Sequence, residues 1–219
     1  MLPFNHGRVQ VASPLTSFYM RRGKRIIDLS VAAGMLVVGS PLMVAVAAAV
    51  WAAHGRPILL RQERTGLAGR AFCLLKFRTM TEARDAAGRL LPDADRLTPL
   101  GRFLRATSLD ELPELINVLR GDMSLVGPRP LLHHYLEYYS ERQNRRHLLR
   151  PGITGWAAVN GRNTTSWEER FELDLWYIEH ASLMTDLSIL LRTLRTILSS
   201  ADVNPRGGGT MPEFRGSAQ

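Results

Sequence analysis

From Leu29 to Ala53 the chain runs for 25 residues without an Asp, Glu, Lys, Arg or His. At ~1.5 Å per residue, a straight helix of that length could cross the ~30 Å hydrocarbon core of a bilayer. A cleaved signal peptide fits poorly. The run is too long for the apolar core of such a leader, starts well inside the chain, and its Ala-rich end passes into His54-Gly55-Arg56. Ser40-Pro41 falls in the middle, just after Gly39. Proline lacks an amide donor and its ring crowds the preceding turn, so a kink is expected there. Taken alone, the segment reads as a kinked spanning helix. Its flanks argue otherwise, because Arg21, Arg22, Lys24 and Arg25 precede it and Arg56, Arg61, Arg64 and Arg70 follow it. Positive charge is retained on the cytoplasmic side of a membrane, and here both ends carry it. A re-entrant helix–break–helix hairpin over residues 21–55 satisfies both flanks. Each arm of ~12 residues would reach ~18 Å, about one leaflet.

The remaining sequence is globular in balance. Of 219 residues, 45% are hydrophobic and 22% charged, which excludes wholesale disorder and suits one compact domain. A net charge of +8 leaves nucleic acid, an anionic membrane surface or phosphorylated substrates as partners. A single cysteine, Cys73, rules out an internal disulfide, and no paired-cysteine motif offers a structural zinc site. On an apolar strand that thiol is expected to be buried and inert. The six histidines have no metal-ligand spacing, and no GxSxG hydrolase signature occurs.

The expected architecture is α+β, mostly α. Residues 57–62 and 71–78 read as two short strands around the loop Thr65–Gly69, a small β-hairpin. Thr98-Pro99 opens a helix, and another starts near Asp110, runs to about Arg120 and stops at Gly121. Two glycines and two prolines make 121–130 read as irregular, 132–149 as a polar helix, and 151–155 as a turn. Ser166-Trp167-Glu168-Glu169 is a capping box opening a helix with Phe171, Leu175 and Ile178 on one face. A last helix from about Asp186 alternates Leu and Ile with Arg192 and Arg195, the pattern of an amphipathic helix lying in a membrane interface.

Ser108-Leu109-Asp110-Glu111-Leu112-Pro113 carries two readings. Ser-x-x-Glu before an apolar run is a capping box. The same placement puts carboxylates at a helix N-terminus, where free amides and the dipole lower a pKa and keep the group ionised. Such a group can attack phosphorus, or hold Mg²⁺ with its neighbour. Basic residues gather around it in sequence: Arg102 and Arg105 before it, Arg129 in a Gly-Pro-Arg-Pro turn, and Lys76 and Arg78 alternating on a strand. A guanidinium grips phosphate oxygens bidentately. Beside a membrane hairpin, this set suggests a diphosphate substrate handled at the bilayer surface.

In order, the blocks Lys-Arg-Ile-Ile-Asp (24–28), Ser40-Pro41, Lys-Phe-Arg-Thr-Met (76–80) and Ser-Leu-Asp-Glu-Leu (108–112) come first. Gly-Asp-Met-Ser-Leu-Val-Gly-Pro-Arg-Pro-Leu (121–131), Arg-Pro-Gly-Ile-Thr-Gly-Trp (150–156) and Val-Asn-Gly-Arg-Asn (159–163) complete the set. Together they resemble the bacterial sugar transferases, the small monotopic polyprenyl-phosphate phosphoglycosyl transferases, with the nearest likeness to the bacillosamine-pathway member. The resemblance implies transfer of a sugar-1-phosphate, expected to be an N-acetylated amino sugar, from a UDP-sugar to undecaprenyl phosphate with release of UMP. A hexose such as glucose or galactose is the alternative. It implies Asp110 as nucleophile in a covalent aspartyl-phosphosugar intermediate, Glu111 as its partner, both at a required Mg²⁺, Arg105 and Arg129 on substrate phosphate, and Asp186 as a further acid of the site. Lys76 and Arg78 join the phosphate-binding set, and Ser40-Pro41 is the membrane kink. The implied division is an N-terminal extension (1–20), the re-entrant hairpin (21–55), a cytoplasmic catalytic domain with membrane-interface helices (56–200) and a flexible tail (201–219). The implied setting is the cytoplasmic face of the bacterial inner membrane, with membrane lipid, downstream glycosyltransferases and a second copy of the chain as partners. A basic membrane-anchored protein that binds nucleic acid or lipid would also explain the charge. It would need no Asp110-Glu111 pair, and no aromatic-basic nucleic-acid motif occurs, so nucleic acid is not expected as a partner.

Overall fold

The computed structural model describes residues 17–161, 166–199 and 213–216. The extension before Ser17 and the Gly-rich stretch of the expected tail fall outside them. After a π-helical turn at Tyr19–Gly23 comes helix α1 (Lys24–His54). It runs through Ser40-Pro41 without the expected break. The reason is local: Pro41 has no N–H to give the carbonyl of Val37, and the Ser40 hydroxyl donates to that carbonyl instead, at 2.8 Å. Among the described residues, this is the one helix long and apolar enough to cross a membrane, with a mean hydropathy of 2.1 over its most apolar stretch.

Both ends of α1 are fastened to the rest of the fold. At its start, Lys24 Nζ pairs with Asp186 at 2.5 Å, and Arg25 donates to the Val118 carbonyl at 2.7 Å. One turn later Asp28 accepts from Ser124 Oγ at 2.7 Å and from the Leu125 amide at 3.2 Å. At the other end, Val46 and Val50 pack with Phe77 and Leu104, and His54 Nε2 lies 2.8 Å from Thr98 Oγ1. Between the fastened ends, Val37 and Val38 are 75% and 83% exposed.

Strands β1 (Leu59–Thr65) and β2 (Ala71–Phe77) form the expected antiparallel hairpin, paired from Leu59↔Phe77 to Thr65↔Ala71. Cys73 is exposed on it, not buried as expected, since the core-facing residues of β2 are Leu74, Leu75 and Phe77. A one-turn helix α2 (Asp93–Arg96) leads to α3 (Pro99–Ala106). There Thr98 is the expected cap, its hydroxyl accepting from the Gly101 amide at 2.9 Å. A 3-10 turn, Leu109–Glu111, precedes α4 (Glu114–Arg120), which stops at left-handed Gly121, φ 93°. Fully buried Asn117 ties α4 to the hairpin: its Oδ1 accepts from the Leu75 amide, and its Nδ2 donates to the Cys73 carbonyl at 2.7 Å.

The segments read as irregular instead hold a second sheet. β3 (Ser124–Val126) and β4 (Gly152–Thr154) pair in parallel, Ser124↔Gly152 and Val126↔Thr154. Glycine makes this possible. A Cβ on Gly152 would lie 2.1 Å from the Gly127 nitrogen, and one on Gly155 would lie 2.1 Å from the Gly127 carbonyl oxygen. The helix expected over 132–149 is broken into a 3-10 stretch His133–Tyr138, α5 (Glu141–Asn144) and a 3-10 turn Arg145–Leu148. Tyr139 is extended, and Ser140 then caps a new helix through its own capping box with Gln143.

Helix α6 (Trp156–Asn160) precedes α7 (Trp167–His180), whose capping box Ser166–Glu169 forms as expected and which buries Phe171, Leu175 and Ile178. α8 (Leu183–Ser199) starts three residues before Asp186 and buries Ile189. It leaves Leu183, Met184, Leu187, Leu191 and Leu194 exposed. In the expected flexible tail, Phe214 is 2% exposed and packs with Tyr135, Tyr139, Trp167 and Phe171. Among the described residues the result is a mostly helical α+β fold with two small sheets and one long apolar helix.

Candidate active site

Asp110 and Glu111 sit on the 3-10 turn that joins α3 to α4. Ser108 does not cap it. That residue is left-handed, φ 56°, and its side chain makes no capping bond, so the capping-box reading of this stretch fails. Lys76 reaches across from β2 and holds two carboxylates at once, with Nζ 2.7 Å from Glu111 Oε1 and 3.0 Å from Glu114 Oε1. Arg129 donates to the same Glu111 oxygen at 2.9 Å. Glu114 is 3% exposed and belongs to this cluster, although sequence reasoning passed over it. Its signal was the i, i+3 step from Glu111, which puts two acids on one side of the turn.

Asp110 is 8% exposed, and its carboxylate accepts no hydrogen bond from the described residues. Its pKa is raised, against the expectation of a lowered one. Burial and the neighbouring Glu111 charge push it up, while Lys76, Arg105 and Arg129 pull it down. Backbone amides are not among the groups acting on it, so the expected hydrogen-bond help is not in place. For Glu111 the balance is reversed. Burial opposes its charge, but Arg129 and Lys76 together outweigh burial and hold it below the ordinary carboxylate range. Burial, with Glu111 alongside, pushes Glu114 up to about 7. One carboxylate is thus neutralised by two cations, and beside it lies a second with no bond of its own.

The remaining predicted residues divide. Arg105 is exposed on α3, with Nε on Thr79 Oγ1 at 3.1 Å and its charge felt by Asp110. Arg78 is not brought into the cluster. Strand β2 ends at Phe77, and the Arg78 guanidinium turns to the carbonyls of His54, Gly55 and Arg56, closing the C-terminal end of α1. Asp186 is also elsewhere: it accepts from Lys24, from Tyr19 and from Tyr177 Oη at 2.7 Å, a buried latch between α8 and the start of α1.

Arg129 owes its place to groups that sequence reasoning missed. Arg146 and Asp174, each 2% exposed, form a buried ion pair at 2.6 Å, and the same Arg146 Nη2 donates to the Arg129 carbonyl at 2.8 Å. They are 28 residues apart, with no local pattern to join them.

Metal fit can be judged from the donors. Among the described residues, no group of three or more His, Cys, Asp or Glu side chains is arranged to hold a metal ion. Mg²⁺, however, is commonly held by one or two carboxylates plus substrate phosphates. The unbonded Asp110 carboxylate and the second oxygen of Glu111 fit that role. A cage built from protein groups alone does not.

Comparison with known proteins bears on the family of the chain. The family model described as Bacterial sugar transferase matches residues 19–200. A Bacillus subtilis (strain 168) protein, named as the uncharacterized sugar transferase EpsL, is 50% identical over 194 residues, covering 89% of this chain and 96% of its own. A UDP-glucose:undecaprenyl-phosphate glucose-1-phosphate transferase of Caulobacter vibrioides is 43% identical over 198 residues, covering 85% of this chain and 74% of its own. An undecaprenyl-phosphate galactose phosphotransferase of Salmonella typhimurium is 37% identical, and the match takes in 80% of this chain but 40% of that longer protein. With the family match spanning nearly the whole described fold and the blocks around Asp110 and Arg129 inside it, the chain belongs to the bacterial sugar transferase family.

Proposed function

We propose that the chain transfers a sugar-1-phosphate from a UDP-sugar to undecaprenyl phosphate, releasing UMP, with Asp110 as nucleophile. The observation that carries this reading is the contrast between neighbours: Glu111 held by Lys76 and Arg129, Asp110 buried and unbonded beside them. In the first step an Asp110 oxygen attacks the β-phosphorus. The Oδ–P bond forms, the bridging P–O bond breaks, and UMP departs. In the second step the lipid phosphate oxygen attacks the same phosphorus and frees Asp110. Lys76, Arg105 and Arg129 supply positive charge where phosphate oxygens gather it in the transition state. Mg²⁺ held by Asp110 and Glu111 would neutralise further charge on the diphosphate. As for the sugar, two of the relatives described above are named for glucose and galactose, which favours the hexose over the expected amino sugar, and none is named for bacillosamine. Incubating the purified protein with a panel of UDP-sugars, undecaprenyl phosphate and Mg²⁺ should release UMP with UDP-glucose or UDP-galactose and stop on chelation. Failure with every UDP-sugar would refute the reading.

We further propose that α1, helical throughout, bends at Ser40-Pro41 and is re-entrant in the cytoplasmic leaflet of the inner membrane. Its two ends grip the same folded unit, at Asp186 and Ser124 on one side and at Thr98 on the other, while Val37 and Val38 between them stay bare. A helix spanning the bilayer would set its ends on opposite faces. The apolar side of α8 would lie in the same interface. In a Cys73→Ser background, single cysteines placed at positions 22 and 56 should both label from the cytoplasmic side only. Labelling of the two from opposite sides would require a spanning helix.

A further inference from the structure

Among the described residues, Arg64, Arg78, Arg96 and Arg170 each bury an Nε without an acceptor, and two of them, Arg64 and Arg170, also feel the charge of Arg129. The guanidinium of Arg170, in the first turn of α7, makes no hydrogen bond within the described residues. It lies against the Trp167 ring, 5.6 Å from its centroid, and its Nε is buried without an acceptor. Arg64, at the end of β1, spends Nη2 on Gln62 and a long 3.5 Å contact on the Pro130 carbonyl, and its Nε too is buried and unpaired. Their positions converge on one place. Arg64 touches the residue after Arg129. Arg170 stands one helical turn before Asp174, whose partner Arg146 holds the Arg129 carbonyl. Burial, and then the charge of Arg129, lower the pKa of both guanidinium groups. Three arginines whose charges meet, two of them with a buried donor unspent, are costly in an empty fold and favourable around an anion.

Resting on the function proposed above, we infer that Arg64 and Arg170, with Arg129, form the pocket for the phosphate of the departing nucleoside monophosphate. The direction of the reaction selects this phosphate. The cations that act most strongly on Asp110 are Lys76, Arg105 and Arg129. In an in-line displacement the leaving oxygen exits opposite the nucleophile. Arg129 meets the acidic turn at Glu111, and Arg64 meets the next residue of its loop at the Pro130 carbonyl, so a diphosphate with its β-phosphorus at Asp110 would carry its α-phosphate toward these arginines.

The test uses UMP as the probe and the full-length protein in nanodiscs, with Arg170→Gln as the variant. Arg89→Gln is the control, since Arg89 is an exposed arginine that, among the described residues, pairs with Asp85. Arg170→Gln should raise the UMP dissociation constant at least tenfold. The melting temperature of the ligand-free protein should hold or rise, because the change removes an unpaired buried donor. Arg89→Gln should bind UMP as wild type does. Unchanged UMP binding by Arg170→Gln overturns the inference alone. So does a loss of binding accompanied by a lower ligand-free melting temperature, or an effect confined to the KM for the lipid phosphate. No UMP binding by wild type overturns the parent reading, and this inference with it.

Discussion

Asp110→Asn should reduce sugar-phosphate transfer on the order of 10³-fold or more, the scale seen when a covalent nucleophile is removed, and should leave the fold intact. An amide has nearly the shape of the carboxylate. Asp110 accepts no hydrogen bond from the described residues, and burial already disfavours its charge, so no native bond is lost and one desolvated charge is relieved. The chemistry has no such tolerance. The amide nitrogen lone pair is delocalised and its oxygen uncharged, so neither can form the adduct with phosphorus. Intact-protein mass spectrometry with UDP-sugar and Mg²⁺, but no lipid acceptor, should find a sugar-phosphate on wild type and none on the variant. Substantial turnover by Asp110→Asn, shown to be free of deamidated protein, would remove Asp110 from the mechanism and leave Glu111 or Glu114 to explain it.

Asp174→Ala should be the most damaging substitution for stability, at about 3–5 kcal/mol. It strands the Arg146 guanidinium, 2% exposed and flanked by the rings of Tyr139 and Phe171, with no counter-charge on the side it faces. For a chain of this size the loss corresponds to a melting temperature lower by roughly 6–20 °C. A second variant separates stability from positioning. Replacing both partners by apolar residues, Asp174→Leu with Arg146→Met, removes two buried charges together and should recover much of the stability. Activity should stay low, because the Arg129 carbonyl loses the donor that fixes its loop. A double variant that is both stable and fully active would show that the pair only supports the fold.

What could be read from the sequence was local. The cap at Thr98, the stop at Gly121, the Ser166–Glu169 box and the β1–β2 hairpin each depend on residues within a few positions of one another, and all formed. Lys76, Glu111 and Arg129 were each singled out, the two cations for substrate phosphate, but their pairing with one another was not foreseen. What stayed hidden required a second segment. Three-residue strands such as Ser124–Val126 have too few positions to display a period, and Gly152–Thr154, their partner, read as a turn until the two were side by side. Alternation placed Lys76 and Arg78 on one face. It could not tell that the strand would end between them and send Arg78 to the end of α1. Ser108 carried a capping signature but took a left-handed backbone that denies its hydroxyl the bond. Pro41 signalled a break in the hydrogen-bond ladder, and the Ser40 hydroxyl takes up the carbonyl that it frees, so the helical assignment continues.

The contact of Gly127 with Gly152 and Gly155 bears on how this enzyme could be re-engineered. Backbone there meets backbone with no side chain between, so even one methyl group at any of the three would wedge the parallel strands apart and carry the Arg129 loop with them. That loop is therefore a fixed part, as closed to tuning as the seat of a valve. A mutant library built to change sugar choice should hold these glycines constant. Its diversity belongs on side chains that can change without moving the main chain, such as those of α3 and of the exposed face of the β1–β2 hairpin.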